Sequence, residues 1–112
     1  MDYNILLINP QTQQHSFEKV KGYPVKSDLI PEVKLFAHHP YTKDKSLDFS
    51  HYWNISEYES GTALVNHCRS TKQQALEAME SRLQNLNTDI LAWVDSQKAK
   101  SIEKYGVANN EN

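Results

Sequence analysis

The chain has 112 residues, with twelve basic and fourteen acidic side chains, a formal charge of −2 and one cysteine, Cys68. This length suits one domain, because a second core would be too small to be stable without metals or disulfides. The small net charge provides no overall field that attracts nucleic acid or an anionic membrane, so neither is a favoured partner. The lone cysteine excludes an internal disulfide framework and fits a reducing environment, so we expect a cytoplasmic protein.

The N-terminal third predicts three strands. Residues 3–8 include four consecutive aliphatic side chains, which is typical of a strand covered on both faces, and Asn9-Pro10 favours a turn. A return strand over about residues 15–21 completes a hairpin. The prolines between residues 22 and 31 favour an irregular connection, and the alternation from Val33 to Ala37 predicts the third strand.

A second hairpin is predicted between residues 51 and 68. Its strands cover residues 51–58 and 62–68, and Glu59-Ser60-Gly61 joins them in a tight turn whose glycine tolerates a positive φ. Alternation places Trp53 and Ile55 on the core face.

Tyr52 and Tyr58 fall on the opposite face of the same strand. Exposed tyrosines on a sheet often anchor a protein interface, since they bury much area at a low entropy cost. The alternative is that the polar loop of residues 40–48 folds over them. Both interpretations are open at this point.

A helix is predicted from residue 71 to about residue 104. Ser70 or Thr71 with Gln73 or Gln74 can form a capping box at its start. An apolar stripe then recurs in steps of three and four residues, which is the pattern of an amphipathic helix. The members of this stripe are Leu76, Met79, Leu83, Leu86, Ile90 and Trp93.

A continuous helix of that length would be about 50 Å long, whereas short strands span only ~17–20 Å. The chain therefore either breaks near residues 85–88, with Thr88 capping a second helix, or buries the distal residues Leu86, Ile90 and Trp93 against another chain. Their unbroken register favours one continuous helix, and hence a homodimer or a partner-binding helix.

The sequence thus predicts an α+β fold with an antiparallel sheet of four to five short strands, followed by one long C-terminal amphipathic helix. We expect a single domain over residues 1–106, with the sheet in about 3–68, the helix in about 71–104 and a disordered tail in 107–112.

No catalytic or metal-binding constellation is predicted. Four of the five histidines, His38-His39, His51 and His67, lack any metal-ligand spacing, and adjacent strand residues point to opposite faces, so we expect these four at a solvated rim. Cys68 lacks the glycine-rich turn of an activated nucleophile and suits a packed core position. We expect no metal, no cofactor and no enzymatic activity.

An alternative function is a small nucleic-acid-binding module that uses Arg69 and Lys72 at the helix start to contact phosphates. Glu57 and Glu59 lie near the hairpin turn, and repulsion from their carboxylates would oppose phosphate contact. The strand-turn-strand-helix run is also similar to the partial ribonuclease-like fold of HicB-type antitoxins, and that resemblance implies an antitoxin-like regulatory role.

The segment from Ser70 to Lys104 resembles the C-terminal helix of small phage-encoded type I-F anti-CRISPR proteins. The resemblance is carried by Thr71, Ala75-Leu76, Ala78, Leu83, Asp89-Ile90-Leu91-Ala92 and Glu103-Lys104-Tyr105. It implies a phage or mobile-element protein, acting in the host cytoplasm, that inhibits a CRISPR–Cas complex by binding a Cas subunit. On that hypothesis the distal helix stripe and the tyrosine face make the contacts; their residues are Leu86, Ile90, Trp93, Tyr52 and Tyr58.

Overall fold

The computed structural model describes residues 1–110 and contains, within that range, an antiparallel sheet of five strands and two helices. The elements in chain order are β1 (Asp2–Ile8), β2 (His15–Val25), β3 (Leu35–His38), β4 (Tyr52–Glu57), β5 (Ala63–Arg69), α1 (Lys72–Gln84) and α2 (Ile90–Tyr105). Each strand pairs with the next, so the sheet is a meander in the order β1-β2-β3-β4-β5. The predicted α+β class and the antiparallel sheet are confirmed.

Strand β2 takes part in two pairings along its length. Its residues 15–21 pair with β1, and its residues 22–25 pair with β3. Gly22 lies at the changeover, where a Cβ would come 2.7 Å from Cδ2 of Tyr3. Because no side chain stands there, the ring of Tyr3 lies against the backbone and stacks on Phe36, with 4.2 Å between the ring centroids. The β1–β2 hairpin is thereby packed onto one face of β3.

Strand β3 is buried throughout, and its alternate side chains enter two cores. Leu35 and Ala37 join the helical core, which the sheet forms with the helices. Phe36 joins the hairpin core, which it forms with Tyr3 and Ile5 of β1. The other buried members of the helical core are Ile30, Val33, Ile55, Ala75, Met79, Leu83 and Val94.

Helix α1 starts with the predicted capping box. The hydroxyl oxygen of Thr71 accepts a hydrogen bond from the N–H of Gln74, whose side-chain oxygen accepts one from the N–H of Thr71. These reciprocal bonds satisfy two of the N–H groups that a helix start leaves unpaired. Ala75, Met79 and Leu83 recur every fourth residue and form the buried stripe of this helix.

The prediction of one long C-terminal helix is wrong, because α1 ends at Gln84 and α2 begins at Ile90. Asn85 is the C-cap of α1, and Asp89 is the N-cap of α2, where its carboxylate accepts a hydrogen bond from a backbone N–H. The polar residues between the helices favour a break, since their short side chains compete for backbone hydrogen bonds. The cap of the second helix is Asp89 rather than Thr88.

The break removes the excess length that a continuous helix would have had. At ~1.5 Å per residue the two helices are about 20 Å and about 24 Å long, which is close to the length of a strand. The Cα radius of gyration is 13.6 Å, near the ~13 Å expected of a compact domain of this size. The described residues therefore contain no excess length of helix that would require a dimer or an overhanging partner helix.

Part of the segment expected to be a disordered tail instead makes ordered contacts. Ala108 is buried, and its N–H donates to the carbonyl of Glu59 at 2.8 Å. The side-chain oxygen of Asn110 accepts from the N–H of Asn4 at 2.6 Å, and its amide group donates to the carbonyls of Asn4 at 3.1 Å and Tyr58 at 2.8 Å. Asn110 thereby pairs with backbone groups on the outer edge of β1. Residues 111 and 112 of the expected tail lie outside the described residues.

Candidate functional site

The distal helix residues expected to contact a partner pack on the molecule's own helical core. Leu86 lies in the connection between the helices, and Ile90 and Trp93 lie in the first turn of α2. All three are half-buried. Since they already contact this core, they do not form the long exposed stripe that the heptad pattern suggests.

Tyr52 and Tyr58 are also half-buried, and they are not neighbours. Phe49 packs edge-on against Tyr52, with 6.0 Å between the ring centroids. Tyr58 packs on the hairpin core, with its ring edge-on to Tyr3 at 6.4 Å. Tyr58 is six positions after Tyr52, which is about 20 Å of extended chain at ~3.3 Å per residue. They therefore belong to different surfaces.

Tyr58 lies in a cleft of about 530 Å³ at the end of the hairpin core, which we call the Tyr58 cleft. This volume is in the range of typical ligand pockets. Its aromatic and apolar lining residues are Tyr3, Pro24, Val25, Pro31, Val33, Leu35 and Tyr58, and its charged ones are Lys26, Glu32 and Lys34. The sequence identified Tyr58 but not the walls. The available signal was the proline-rich connection before β3, which forms one side.

The backbone around Tyr58 is held by a buried carboxylate. Glu57 is 3% exposed, and its side chain accepts hydrogen bonds from the N–H of Glu59 at 2.6 Å and from the N–H and hydroxyl of Ser60 at 2.9 and 2.7 Å. The N–H of Tyr58 donates to the carbonyl of Lys34 at 3.0 Å. With the bond from Asn110 to its carbonyl, Tyr58 is fixed by backbone contacts on both sides. The cleft is therefore preorganised around this residue.

The charge of the Tyr58 cleft is positive by one, from Lys26 and Lys34 against Glu32. The ammonium of Lys34 lies 5.0 Å from the centroid of the Tyr58 ring, within the range of a cation–π contact. An apolar floor with a cationic rim suits a ligand group that combines an apolar side chain with a carboxylate.

A buried polar pair lies between the strands β3 and β4. Nε2 of His38 lies 2.8 Å from Oγ of Ser56, and its Nδ1 lies 2.9 Å from the carbonyl of His39. A carbonyl only accepts, so Nδ1 carries the proton, and in the neutral ring Nε2 accepts the hydroxyl proton of Ser56. A catalytic serine makes the same hydrogen bond to its base, but here both residues are only 1% exposed. No substrate reaches them, and the pair acts as a satisfied polar contact inside the fold.

Burial lowers the pKa of His38 below its ordinary 6.5, and the charge of His39 acts in the same direction. The hydrogen bond to the His39 carbonyl opposes these effects. The expectation that His38 lies at a solvated rim is wrong. The residue faces the hairpin side of β3, where the sequence pattern gives no sign that the strand is covered.

The two residues proposed for phosphate contact, Arg69 and Lys72, do not converge. Arg69 lies opposite Tyr52 in the β4–β5 pairing, with its guanidinium 5.9 Å from that ring. Lys72 lies over Tyr23 at 4.3 Å and over Trp53 at 5.7 Å. Since Tyr52 and Trp53 are adjacent strand residues, they point to opposite faces of the sheet. Arg69 and Lys72 therefore cannot contact the same stretch of ligand.

Cys68 is half-buried and packs against the helical core, and the hydroxyl of Ser70 donates to its sulfur at 3.2 Å. Within residues 1–110, histidine, cysteine and acidic side chains do not gather in any group of three that could hold a metal ion. Neither helix in the described part of the chain is long and apolar enough to cross a membrane.

Comparison of the chain with protein-family models, with curated proteins and with solved structures finds no match. The fold is an antiparallel five-stranded meander with two helices, and the features of its surface that bear on function are the clefts.

Proposed function

We propose that the protein is a non-enzymatic binding protein that recognises another protein through the Tyr58 cleft. The observation that carries the proposal is the cleft of about 530 Å³, with an aromatic and apolar floor, around a tyrosine whose backbone is fixed on both sides. Tyrosines held in desolvated pockets are common hot spots of protein interfaces. Burial of the His38–Ser56 pair supports a binding role rather than a catalytic one.

The occupant we propose is an extended partner segment that carries an apolar side chain beside an acidic one. The apolar group would lie between the Tyr58 ring and the proline wall, and the carboxylate would meet Lys26 or Lys34 at the rim. A rigid cleft of this kind loses little conformational entropy on binding, which favours affinity from a small contact area.

The finer form of the proposal is that the partner is a host protein complex, namely a Cas effector subunit, and that the chain is a phage or mobile-element inhibitor acting in the host cytoplasm. This form is supported by the resemblance of residues 70–104 to type I-F anti-CRISPR proteins. Inhibition would be steric, with the folded domain covering a surface that the Cas complex needs for its work.

The test is binding of the purified protein to an immobilised type I-F Cas surveillance complex, followed by biolayer interferometry. We expect Tyr58→Ala to weaken binding at least about tenfold, the usual loss at a hot spot. Lys34→Glu should weaken it through the rim charge without touching the hairpin core. Tyr52→Ala is the matched control, because Tyr52 is a half-buried tyrosine outside the cleft.

The outcomes separate the two levels of the proposal. Failure of the wild type to bind the Cas complex would contradict the proposal that the partner is a Cas subunit. Affinity capture from a bacterial lysate would then test the general form, and recovery of the same partner by wild type and Tyr58→Ala alike would contradict the cleft. Equal losses for Tyr52→Ala and Tyr58→Ala would do so as well.

A further inference from the structure

A second cleft, of about 350 Å³, is lined by basic residues. Its basic side chains are Lys19, Lys21, Lys45 and His39, and we call it the lysine cleft. No carboxylate is among its lining residues. Although the chain is slightly acidic as a whole, this surface concentrates three of its twelve basic residues. Its local potential therefore favours an anionic ligand.

The lysine cleft adjoins a group of aromatic rings, and His39 belongs to both. The ring of His39 lies 4.1 Å from that of Trp53, which in turn meets Tyr23 edge-on at 5.9 Å. Tyr23 is 48% exposed. Lys72 adds a fourth ammonium 4.3 Å from the Tyr23 ring centroid. We call the rings of His39, Trp53 and Tyr23 the aromatic platform.

Two rings of the aromatic platform, those of His39 and Trp53, are held in place before any ligand arrives. Nδ1 of His39 lies 2.9 Å from the carbonyl of Tyr52, which can only accept, so this nitrogen carries a proton and the ring is held in place. Trp53 packs on the helical core and pairs with Cys68 in the β4–β5 ladder. A ligand ring that stacks on these two rings would not need to order their side chains first.

We propose that the lysine cleft and the aromatic platform together form a binding surface for single-stranded nucleic acid. Unpaired bases stack on aromatic rings, while lysines along the same path contact the phosphates. A duplex offers its phosphates but keeps its bases stacked on each other, so it would gain from the lysines alone. The surface differs from the phosphate site expected at the helix start, because Arg69 lies on the other face of the sheet and only Lys72 takes part.

Two carboxylates beside this surface limit its strength. Asp2 lies opposite Lys21 in the β1–β2 pairing. The pKa of Asp48 is lowered chiefly by hydrogen bonds from Ser50, and the charges of His51 and His39 contribute, so the Asp48 carboxylate opposes an anionic ligand near His39. Replacing Asp2 with Asn is therefore expected to tighten binding by removing an opposing charge.

Fluorescence anisotropy with labelled DNA and RNA single strands of about 16 nucleotides, the upper end of what one small domain covers, tests the proposal. Four lysine–phosphate contacts predict a slope of log affinity against log salt of about −2.8. The triple variant Lys19→Gln, Lys21→Gln, Lys45→Gln should reduce this slope by about 2 and weaken binding at least about tenfold at ~0.1 M salt. Tyr23→Ala should weaken binding about tenfold without changing the slope, since it removes only stacking.

The matched control is the triple variant Arg82→Gln, Lys100→Gln, Lys104→Gln, which removes the same charge from exposed residues that line neither cleft. Equal losses for the two triple variants would overturn the proposal. So would the absence of single-strand binding at low salt, or a duplex bound as tightly as the single strand. The proposal would also be contradicted if heparin bound as tightly as the single strand and Tyr23→Ala left single-strand binding unchanged. The surface would then be a general anion site. Tyr58→Ala should leave nucleic-acid binding unchanged. This proposal and the proposed role of the Tyr58 cleft are therefore tested independently.

Discussion

Replacing Gly61 with alanine tests how the turn between β4 and β5 holds β1. Gly61 has a φ of +70°, and its carbonyl accepts a hydrogen bond from the N–H of Leu6 at 3.0 Å. A Cβ at this position would lie 2.9 Å from the nitrogen of Leu6 and 3.1 Å from Cα of Ile5. Both are backbone atoms, so β1 itself would have to move.

The expected loss of stability has two parts. A left-handed φ costs a residue with a Cβ about 1–2 kcal/mol. Overpacking against a backbone that cannot give way costs about 1–3 kcal/mol more. Gly61→Ala should therefore lower the free energy of unfolding by about 2–5 kcal/mol. At ~2.1 cal/mol/K per residue, each kcal/mol corresponds to roughly 4 °C in Tm for a chain of this size.

Gly106→Ala is the control for a positive φ in open space, because Gly106 has a φ of +90° and, apart from its chain neighbours, nothing lies within 4 Å of its missing Cβ. Its ψ of 176° belongs to a backbone region that is nearly exclusive to glycine, so the local backbone cost differs from that at Gly61, and the variants are compared by where the loss acts. Urea unfolding followed by circular dichroism should show Gly61→Ala to be less stable than the wild type by about 2–5 kcal/mol. Hydrogen exchange at the amide of Leu6 should be faster in Gly61→Ala than in Gly106→Ala. Equal exchange at Leu6 in the two variants would refute the reasoning.

Two further predictions concern polar contacts. Asn110→Ala should lower the free energy of unfolding by about 1–3 kcal/mol and speed hydrogen exchange at the amide of Asn4, because it removes two hydrogen bonds to Asn4 at the edge of β1 and one to the carbonyl of Tyr58; unchanged urea unfolding would count against the ordered C-terminal segment. The lowered pKa of His38 means that the unfolded chain gains a proton below pH 6.5 before the folded chain does, so stability should fall as the pH decreases from about 7 to about 5, by at most ~1.4 kcal/mol per unit. His38→Asn should lack this contribution, and identical pH slopes for variant and wild type would contradict it.

The strands could be predicted because each carries a local signal. Alternation in β3 and β4, the aliphatic run of β1 and the glycine of the turn at residues 59–61 each depend on a few neighbouring residues. The start of α1 could be predicted for the same reason, since the capping box of Thr71 and Gln74 spans one turn. The burial of β3 on both faces could not be predicted, because the residues that cover its second face come from β1.

The break between the helices was missed because two independent stripes happen to share one heptad register. Leu83 of α1 and Ile90 of α2 are seven residues apart, as a continuous coiled-coil stripe requires. The caps at Asn85 and Asp89 end one helix and start the next through local hydrogen bonds. A pattern of hydrophobic residues does not reveal such bonds. The length that a continuous helix would have had is accommodated by the break and not by a second chain.

The candidate sites were harder to predict than the fold. Tyr58 was found from its place in a strand, but its cleft is completed by Pro24 and Pro31, which are distant in sequence. The lysine cleft joins β2 to the loop that follows β3, and no motif links Lys19 to Lys45 along the chain. Surfaces assembled from separate elements leave no spacing for a pattern to detect.

The contact between Asn110 and β1 has a consequence for how the protein behaves at high concentration. An uncovered strand edge is a template on which another molecule can add a strand. Removal of the last few residues, by a carboxypeptidase or by recombinant truncation, would expose the backbone groups of Asn4, while the N–H of Leu6 stays paired with Gly61. The tendency of a purified sample to aggregate through this edge should then depend in part on the amide side chain of Asn110.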